Sequence, residues 1–338
     1  MDKSIAPKVS VLLPVHNAAA YLREAIDSIL AQHFTDFEFL ILNDGSTDAS
    51  EEIIHSYTDP RIRYVKNKTN VGLVATLNRG IEMAQGEYIA RMDADDISLP
   101  ERFTRQVAFL DQHPEVGACG TAFQFFGDST YVSRNPTDYK QAFTLLSNNS
   151  SLGHPTSMIR RAVLMQHGIR YEEEYQYAAD FAFWIRISQV AYLSSLAEVL
   201  LRYRWHADNM SKTDPSRQQA KAKARVLWHE LFIQRSLNQA EKRYLAGKAT
   251  DRTTFRAGKQ LLMDVLNEKK SSLLDKAYFS ELAVTEWELK LIDHFGFTGL
   301  VTCFLQPVFR KWSRATTVGL LAHYLSRYGV KLKRSNGK

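Results

Sequence analysis

Cysteine is nearly missing. Cys119 and Cys303 are the only two in 338 residues, far apart and without a pairing or metal-ligand spacing. That excludes a disulfide framework and a cysteine-based zinc site, and it fits reduced thiols in the cytoplasm. Long apolar runs are missing too. No stretch of 18 apolar residues occurs, so no membrane-spanning helix is expected. The opening "MDKSIAPKVS" lacks the apolar core of a secretory leader. No GxGxxG follows the first apolar run and no P-loop occurs anywhere, which removes two common classes of phosphate reader. No internal repeat or low-complexity tract is present.

Acids are absent after Asp293. The net charge of +6 is therefore unevenly divided. Residues 211–338 hold 24 Lys and Arg against 11 Asp and Glu, a net of +13, while residues 1–210 carry −7. The two parts have different electrostatic characters and point to different partners.

What is present is a strict alternation. "KVSVLLPV" is apolar enough for a strand buried on both faces. "NAAAYLREAIDSILAQHF" follows with helical spacing, Asn17 as its N-cap and Leu22, Ala25, Ile26, Ile29 and Leu30 on one side. "FEFLIL", "IRYV" and "EYIARM" read as further strands. "STDASEEIIHSY" and "VGLVATLNRGIEMAQ" read as the helices between them, with Gly86 closing the second. Pro100 opens another helix with Phe103, Val107 and Leu110 inward. Such alternation makes right-handed βαβ units and a mostly parallel sheet. Ligands bind beyond the carboxyl ends of such strands. The polar clusters there are "PVHN", "NDGSTD" and "DADD", which should converge on one crevice.

Further on, "VGACGTAFQFFGDS", "STYVSR" and "EVLLRYRWH" read as strands. "HPTSMIRRAVLMQHG" reads as strand then helix, and "ADFAFWIRISQ" as a helix. From residue 213 the pattern is helical.

Asp93, Asp95 and Asp96 end the fourth strand. Carboxylates aimed into one cleft repel each other and are costly to hold together without a cation. Oxygen ligands in this number suit a hard divalent ion, Mg²⁺ or Mn²⁺, that takes its remaining ligands from water and a phosphate-bearing substrate. The bland alternative, strongest for Asp96, is an exposed acidic turn capping the next helix.

At this point "VSVLLPVHNAAAYLREAIDSILAQHFTDFEFLILNDGSTD" and "NVGLVATLNRGIEMAQGEYIARMDADD", in that order and spacing, resemble the family 2 glycosyltransferases of GT-A fold, over residues 8–210. The resemblance implies a nucleotide-sugar donor, a metal and inversion at the anomeric carbon. It implies that Pro14, His16, Asn17 and Asp44 hold base and ribose, His16 by stacking and Asp44 by accepting from a uracil N–H. It implies a DxD at Asp93 and Asp95, Asp95 on the metal and Asp93 toward the ribose or a metal-bound water. "YAADFAFWIRIS" resembles the segment carrying the general base. Ala179 replaces the usual first acid and Asp180 keeps the second, so Asp180 is the expected base, with an N-cap role as its plain alternative. Trp184 is a sugar wall or core, Arg186 an ion-pair partner, and Arg91 a diphosphate contact or a structural ion pair. His154 stands near the expected acceptor, and His206 is a candidate third metal ligand or phosphate contact. Arg202 and Arg204 alternate on one strand and should face one way.

The expected architecture is thus α/β, GT-A, with a mostly parallel central sheet flanked by helices. Residues 1–110 form the nucleotide-sugar-binding half, 111–212 the acceptor-binding half, and 213–338 a basic helical region. The last 29 residues, from Arg310, hold eight Lys and Arg, and "TTVGLLAHYLSRYGVKLKR" has the spacing of an amphipathic helix for an anionic membrane face. "GLVTCFLQPVF" is too short to span a bilayer. The expected acceptor is a glycan or lipid-linked sugar in surface polysaccharide synthesis, met in the cytoplasm or at the inner membrane face. A helical bundle or dimer contact is the alternative for the tail, and no aromatic-basic motif supports nucleic acid. A non-catalytic binding module of the same fold is the competing reading, favoured by Ala179. A nucleotidyltransferase is third, and "PVHNAAAYL" lacks the Gly-rich basic loop it needs.

Overall fold

The computed structural model describes residues 6–206, 216–248, 251–279 and 282. The chain divides into two compact units, residues 1–227 and 228–338. The basic run from Arg310, the segment "GLVTCFLQPVF" and Cys303 lie outside the described residues.

The first unit is built on a nine-stranded sheet. β1 (Val9–Val15) and β2 (Phe37–Asn43) are buried almost throughout, which is why they are apolar without alternation. β3 (Ile62–Lys66) lies beside β2 and β4 (Tyr88–Arg91) beside β1, all parallel. Three helices connect them: α1 (Leu22–Leu30), α2 (Ser50–His55) and α3 (Leu73–Met83). α1 buries Leu22, Ala25, Ile26 and Ile29, and α3 buries Val74, Leu77 and Ile81. The i, i+3, i+4 spacing puts each set on one face against the sheet. The strand order β3-β2-β1-β4 reverses direction at β1. A crevice therefore opens at the carboxyl ends of β1 and β4.

The remainder of this unit is β5 (Ile97–Ser98), α4 (Arg102–Gln112), β6 (Val116–Gly127), β7 (Val132–Ser133), α5 (Tyr139–Leu145), a 3₁₀ turn (His154–Thr156), β8 (Met158–Arg160), α6 (Arg161–His167), a second 3₁₀ turn (Glu173–Ala178), α7 (Ala179–Ser188) and β9 (Tyr192–Trp205). The sheet continues β4-β8-β6-β9-β5, with β7 on β6. β8 is antiparallel to β4 and β6, while β6 and β9 are parallel. Two consequences position the site. The start of β8 lies at the end of β4, where the Arg91 N–H donates to the Ser157 carbonyl at 3.0 Å. β9 returns antiparallel along β5, so Arg204 and His206 arrive over the acidic loop. Arg102 is fully buried and ties this junction, donating to the carbonyls of Arg91 at 2.7 Å and Ser157 at 3.2 Å.

Local details differ from the sequence reading. Asn17 does not cap α1, which starts at Leu22. Its backbone is left-handed (φ 51°) and its Oδ1 accepts from Thr47 N–H at 2.8 Å, so the side chain is committed to the neighbouring turn. Gly86 does not close α3, whose C-cap is Ala84. Gly86 is needed for close approach instead, because a Cβ there would lie 2.5 Å from the Ser10 nitrogen. α4 starts at Arg102, after Pro100. β9 begins well before "EVLLRYRWH", and α5 and β5 had no clear sequence signal.

The second unit is helical where described. It takes in the end of α8 (Ser216–Ile233), then α9 (Gln239–Leu245) and α10 (Arg252–Asn267). Asn238 and Glu241 form a capping box on α9, and Arg235 bridges Glu241 and Asp264 at 2.7 and 2.8 Å. Trp228 stacks on Phe232 with centroids 4.9 Å apart. Among the described residues no helix is long and apolar enough to cross a membrane.

Candidate functional site

The ends of β1 and β2 carry the first cluster. Pro14 lies in β1 beyond its last pairing with β4, where the strand keeps only β2. His16 is anchored at both ring nitrogens: Nδ1–H donates to the Asp44 carbonyl at 2.8 Å, and Nε2 accepts from the Asn70 amide at 3.0 Å. Asn70 is itself oriented, since its Oδ1 accepts from Gly72 N–H at 2.9 Å. The Asp44 carboxylate is buried and fully engaged. Oδ1 accepts from Asn67 Nδ2 at 2.8 Å and Val71 N–H at 2.9 Å, and Oδ2 accepts from Gly72 N–H at 2.9 Å. Asp44 thus fastens the 67–72 loop to the end of β2. Gly45 (φ +65°) permits the same closure, because a Cβ there would meet Asn70 N and Thr69 C at 2.6 Å. Asn67 and Asn70 escaped sequence reasoning. Asp48 accepts from Ser50 N–H at 3.0 Å and Ala19 N–H at 2.9 Å, tying the turn before α2 to the chain before α1.

The second cluster hangs from β4. Ligand oxygens of Asp93, Asp95 and Asp96 lie within 4.8 Å of one another. Asp96 is 1% exposed. Its Oδ1 accepts from Arg204 N–H at 2.9 Å, and its Oδ2 has no partner among the described residues. Burial, then the charges of Asp93 and Asp95, push its carboxyl well above the ordinary range. Burial also raises Asp93, against the opposing Arg91 guanidinium and with the Asp95 and Asp180 charges adding to it. The Asp93 side chain is 28% exposed. His206 comes from the end of β9, its Nε2 3.1 Å from Asp95 Oδ2. Arg204 does not reach outward: its Nε donates to the Asp95 carbonyl at 2.8 Å, and its guanidinium lies over the rings of Tyr21 and Phe126. Arg202 also lies over Phe126, so the two arginines do share a face.

The third cluster comes from the turn before β8 and from α7. His154 Nε2 pairs with the Tyr171 hydroxyl at 2.8 Å. Burial, then the Arg91 charge, hold its pKa well below the usual imidazole value, so the ring is neutral. Tyr171 stacks on Phe183 at 4.0 Å, and Asn78 on α3 holds its backbone. Neither Tyr171 nor Asn78 carried a sequence signal. Trp184 is fully buried beside His154 and Phe183, and so belongs to the core. Arg186 pairs with Glu172 at 2.9 Å. Asp180 sits in the first turn of α7 without capping it. It makes no hydrogen bond or ion pair among the described residues, yet its charge acts on both Asp93 and Tyr171. Ala179 beside it is buried.

The structure thus brings Asp93, Asp95, Asp96 and His206 together, with Asp180 in electrostatic reach of Asp93. Three buried or half-buried carboxylates, one with an unpartnered oxygen, are a donor set fit for a hard divalent cation.

The family profile described as Glycosyl transferase family 2 matches residues 10–168. An uncharacterized glycosyltransferase of Haemophilus influenzae is 32% identical over 232 residues, 64% of this chain and 71% of that protein. Among solved structures, TarS 1–349 of S. aureus, in complex with UDP-GlcNAc, is similar with a TM-score of 0.61 at 18% identity, covering 98% of this chain and 95% of that one. The mannosyltransferase PcManGT of Pyrobaculum calidifontis, in complex with GDP-Man and Mn²⁺, is similar with a TM-score of 0.54 at 17% identity, covering 97% and 89%.

Proposed function

Because the chain belongs to glycosyl transferase family 2, we propose that it moves a sugar, with inversion, from a nucleotide-sugar to a hydroxyl of a glycan or lipid-linked acceptor. One observation carries this reading: the Asp93, Asp95 and Asp96 cluster has a carboxylate, Asp180, unbonded among the described residues and within electrostatic reach.

Asp180 takes the proton from the acceptor hydroxyl as its oxygen bonds to the anomeric carbon. The bond from that carbon to the phosphate oxygen breaks, and the nucleoside diphosphate leaves with the electron pair. A base free of competing hydrogen bonds suits this step, worth about 10²–10⁴-fold. Mg²⁺ or Mn²⁺ held by Asp95 and Asp93, with His206 as third ligand, would supply positive charge to the diphosphate. Asp96 has the burial and the spare oxygen to join that set. Pro14, His16, Asn17 and the loop fastened by Asp44 hold the nucleoside. Uridine is the nucleoside we favour, supported by the UDP-GlcNAc carried by TarS. The setting is surface polysaccharide assembly at the cytoplasmic face. The eight basic residues after position 309 would draw the chain to anionic lipid, at about 1 kcal/mol for each one near the surface.

Calorimetry with UDP and Mn²⁺, followed by donor hydrolysis, tests the reading on wild type, Asp95→Ala and Asp180→Ala. Loss of metal-dependent binding in the first variant, and loss of turnover with binding kept in the second, is expected. Binding without turnover in wild type would favour a non-catalytic module, the reading that Ala179 supports. No nucleotide binding in wild type would sink both.

A further inference from the structure

Arg91 ends β4 at the turn into the acidic loop and is 3% exposed. Its Nη2 pairs with Asp93. Its Nε and Nη1 are buried and have no acceptor among the described residues. A buried guanidinium is normally surrounded by acceptors, because each unpaired N–H forfeits its hydration. Arg102, at the start of α4, follows that rule: it is also buried, and carbonyls and Gln106 receive its N–H groups. Arg91 does not among the described residues, and we take the missing acceptors to be those of a bound ligand.

The surroundings say what kind. Arg91 pairs with Asp93, and its charge also acts on His154 and Tyr171. The Asp180 charge acts on Asp93 and Tyr171 as well. Between the metal-binding carboxylates and the base is where a transferred sugar must lie. Two carboxylates border that space, so an acidic sugar would meet repulsion. A neutral sugar presents hydroxyl oxygens, which accept from Nε and Nη1 while their own protons go to Asp93.

We infer that Arg91 is a sugar-binding residue, using its two unpartnered N–H groups to hold hydroxyls of a neutral transferred sugar. The inference rests on the glycosyltransferase reading above and adds the sugar class and the residue that grips it. The ion pair to Asp93 serves this arrangement, since it fixes the guanidinium plane while leaving two N–H groups without an acceptor among the described residues.

The test separates the sugar from the nucleotide. Affinities for UDP and for the UDP-sugar that wild type hydrolyses fastest are measured with Mn²⁺ on wild type, Arg91→Lys and Arg91→Met. Melting temperatures check folding. Arg91→Lys can keep the Asp93 pair but cannot supply both N–H groups. Near-unchanged UDP affinity is expected in Arg91→Lys, with the gain from the sugar reduced about tenfold or more. Two results overturn the inference: a sugar gain unaltered in both folded variants, or UDP and UDP-sugar weakened equally, which would make Arg91 only a prop for Asp93. Best hydrolysis of a uronic-acid donor by wild type would overturn the neutral class. A wild type that binds no nucleotide would instead sink the glycosyltransferase reading itself.

Discussion

Asn78 holds both backbone polar groups of Tyr171: its Nδ2 donates to the Tyr171 carbonyl at 2.9 Å, and its Oδ1 accepts from the Tyr171 N–H at 2.9 Å. The side-chain amide acts as a short piece of strand. It joins α3, in the half proposed to hold the nucleotide, to the segment that sets the Tyr171 hydroxyl on His154. Tyr171 is 4% exposed, so water is a poor substitute partner. Asn78→Ala should therefore cost about 1–3 kcal/mol of stability. It should also reduce transfer more than UDP binding, because the damage falls on the side proposed to hold the acceptor. Urea unfolding beside UDP calorimetry checks this, and an equal loss of both activities would refute the division of labour.

Asp96 predicts a trade between stability and metal binding. Its Oδ2 is buried without a donor among the described residues, and two like charges stand beside it. Asp96→Asn keeps an oxygen for the Arg204 N–H and removes the buried charge. Metal-free protein should gain about 1 kcal/mol, or about 2–4 °C in melting temperature. The rise in melting temperature on adding Mn²⁺ should shrink in the variant. Scanning both proteins with and without Mn²⁺ reads both effects. A variant less stable without metal would mean that the charge is already compensated.

Gly45 predicts a loop effect. A methyl group there would press on Asn70 N and Thr69 C at 2.6 Å, backbone that cannot rotate away, at a φ of +65°. Gly45→Ala should displace the loop that Asp44 fastens, lowering stability by about 1–3 kcal/mol and weakening UDP binding. Full UDP affinity in the variant would show that the loop plays no part in nucleotide recognition.

Much of this was legible from the chain alone, for identifiable reasons. "VSVLLPV" and "FEFLILN" read as buried strands because a doubly covered strand has no polar face. The meeting of His16 with Asp44 at the ends of β1 and β2 followed from alternation, since parallel strands deliver their carboxyl ends to one edge. Other features depend on long-range pairing that no local pattern reveals. Asn78 and Tyr171 are 93 positions apart, and α3 would tolerate many residues at position 78. His206 reaches Asp95 only because β9 runs back along β5, a two-residue strand too short to carry periodicity. Asn17 misled because capping residues also favour left-handed turns, and the second use won here.

His154 gives the pH prediction. Its folded-state pKa lies well below 6.5, because burial and the Arg91 charge both disfavour the imidazolium. The unfolded chain titrates near the ordinary value of about 6.5. Above that pH both states are neutral and the group contributes no pH dependence. Below it the unfolded state takes up the proton and the folded state does not. Stability then falls with falling pH, by up to about 1.4 kcal/mol per unit, until the folded value is reached. His154→Gln removes this term and can keep a hydrogen bond to the Tyr171 hydroxyl. Arg91 and Tyr171, which face the ring, stay in place in both proteins, so the difference between them isolates the histidine. Wild type should lose ground to His154→Gln as pH drops from 7.5 to 5, read as the difference between their urea midpoints. Parallel curves would mean that His154 protonates freely in the folded chain, and that the ring lies open to water.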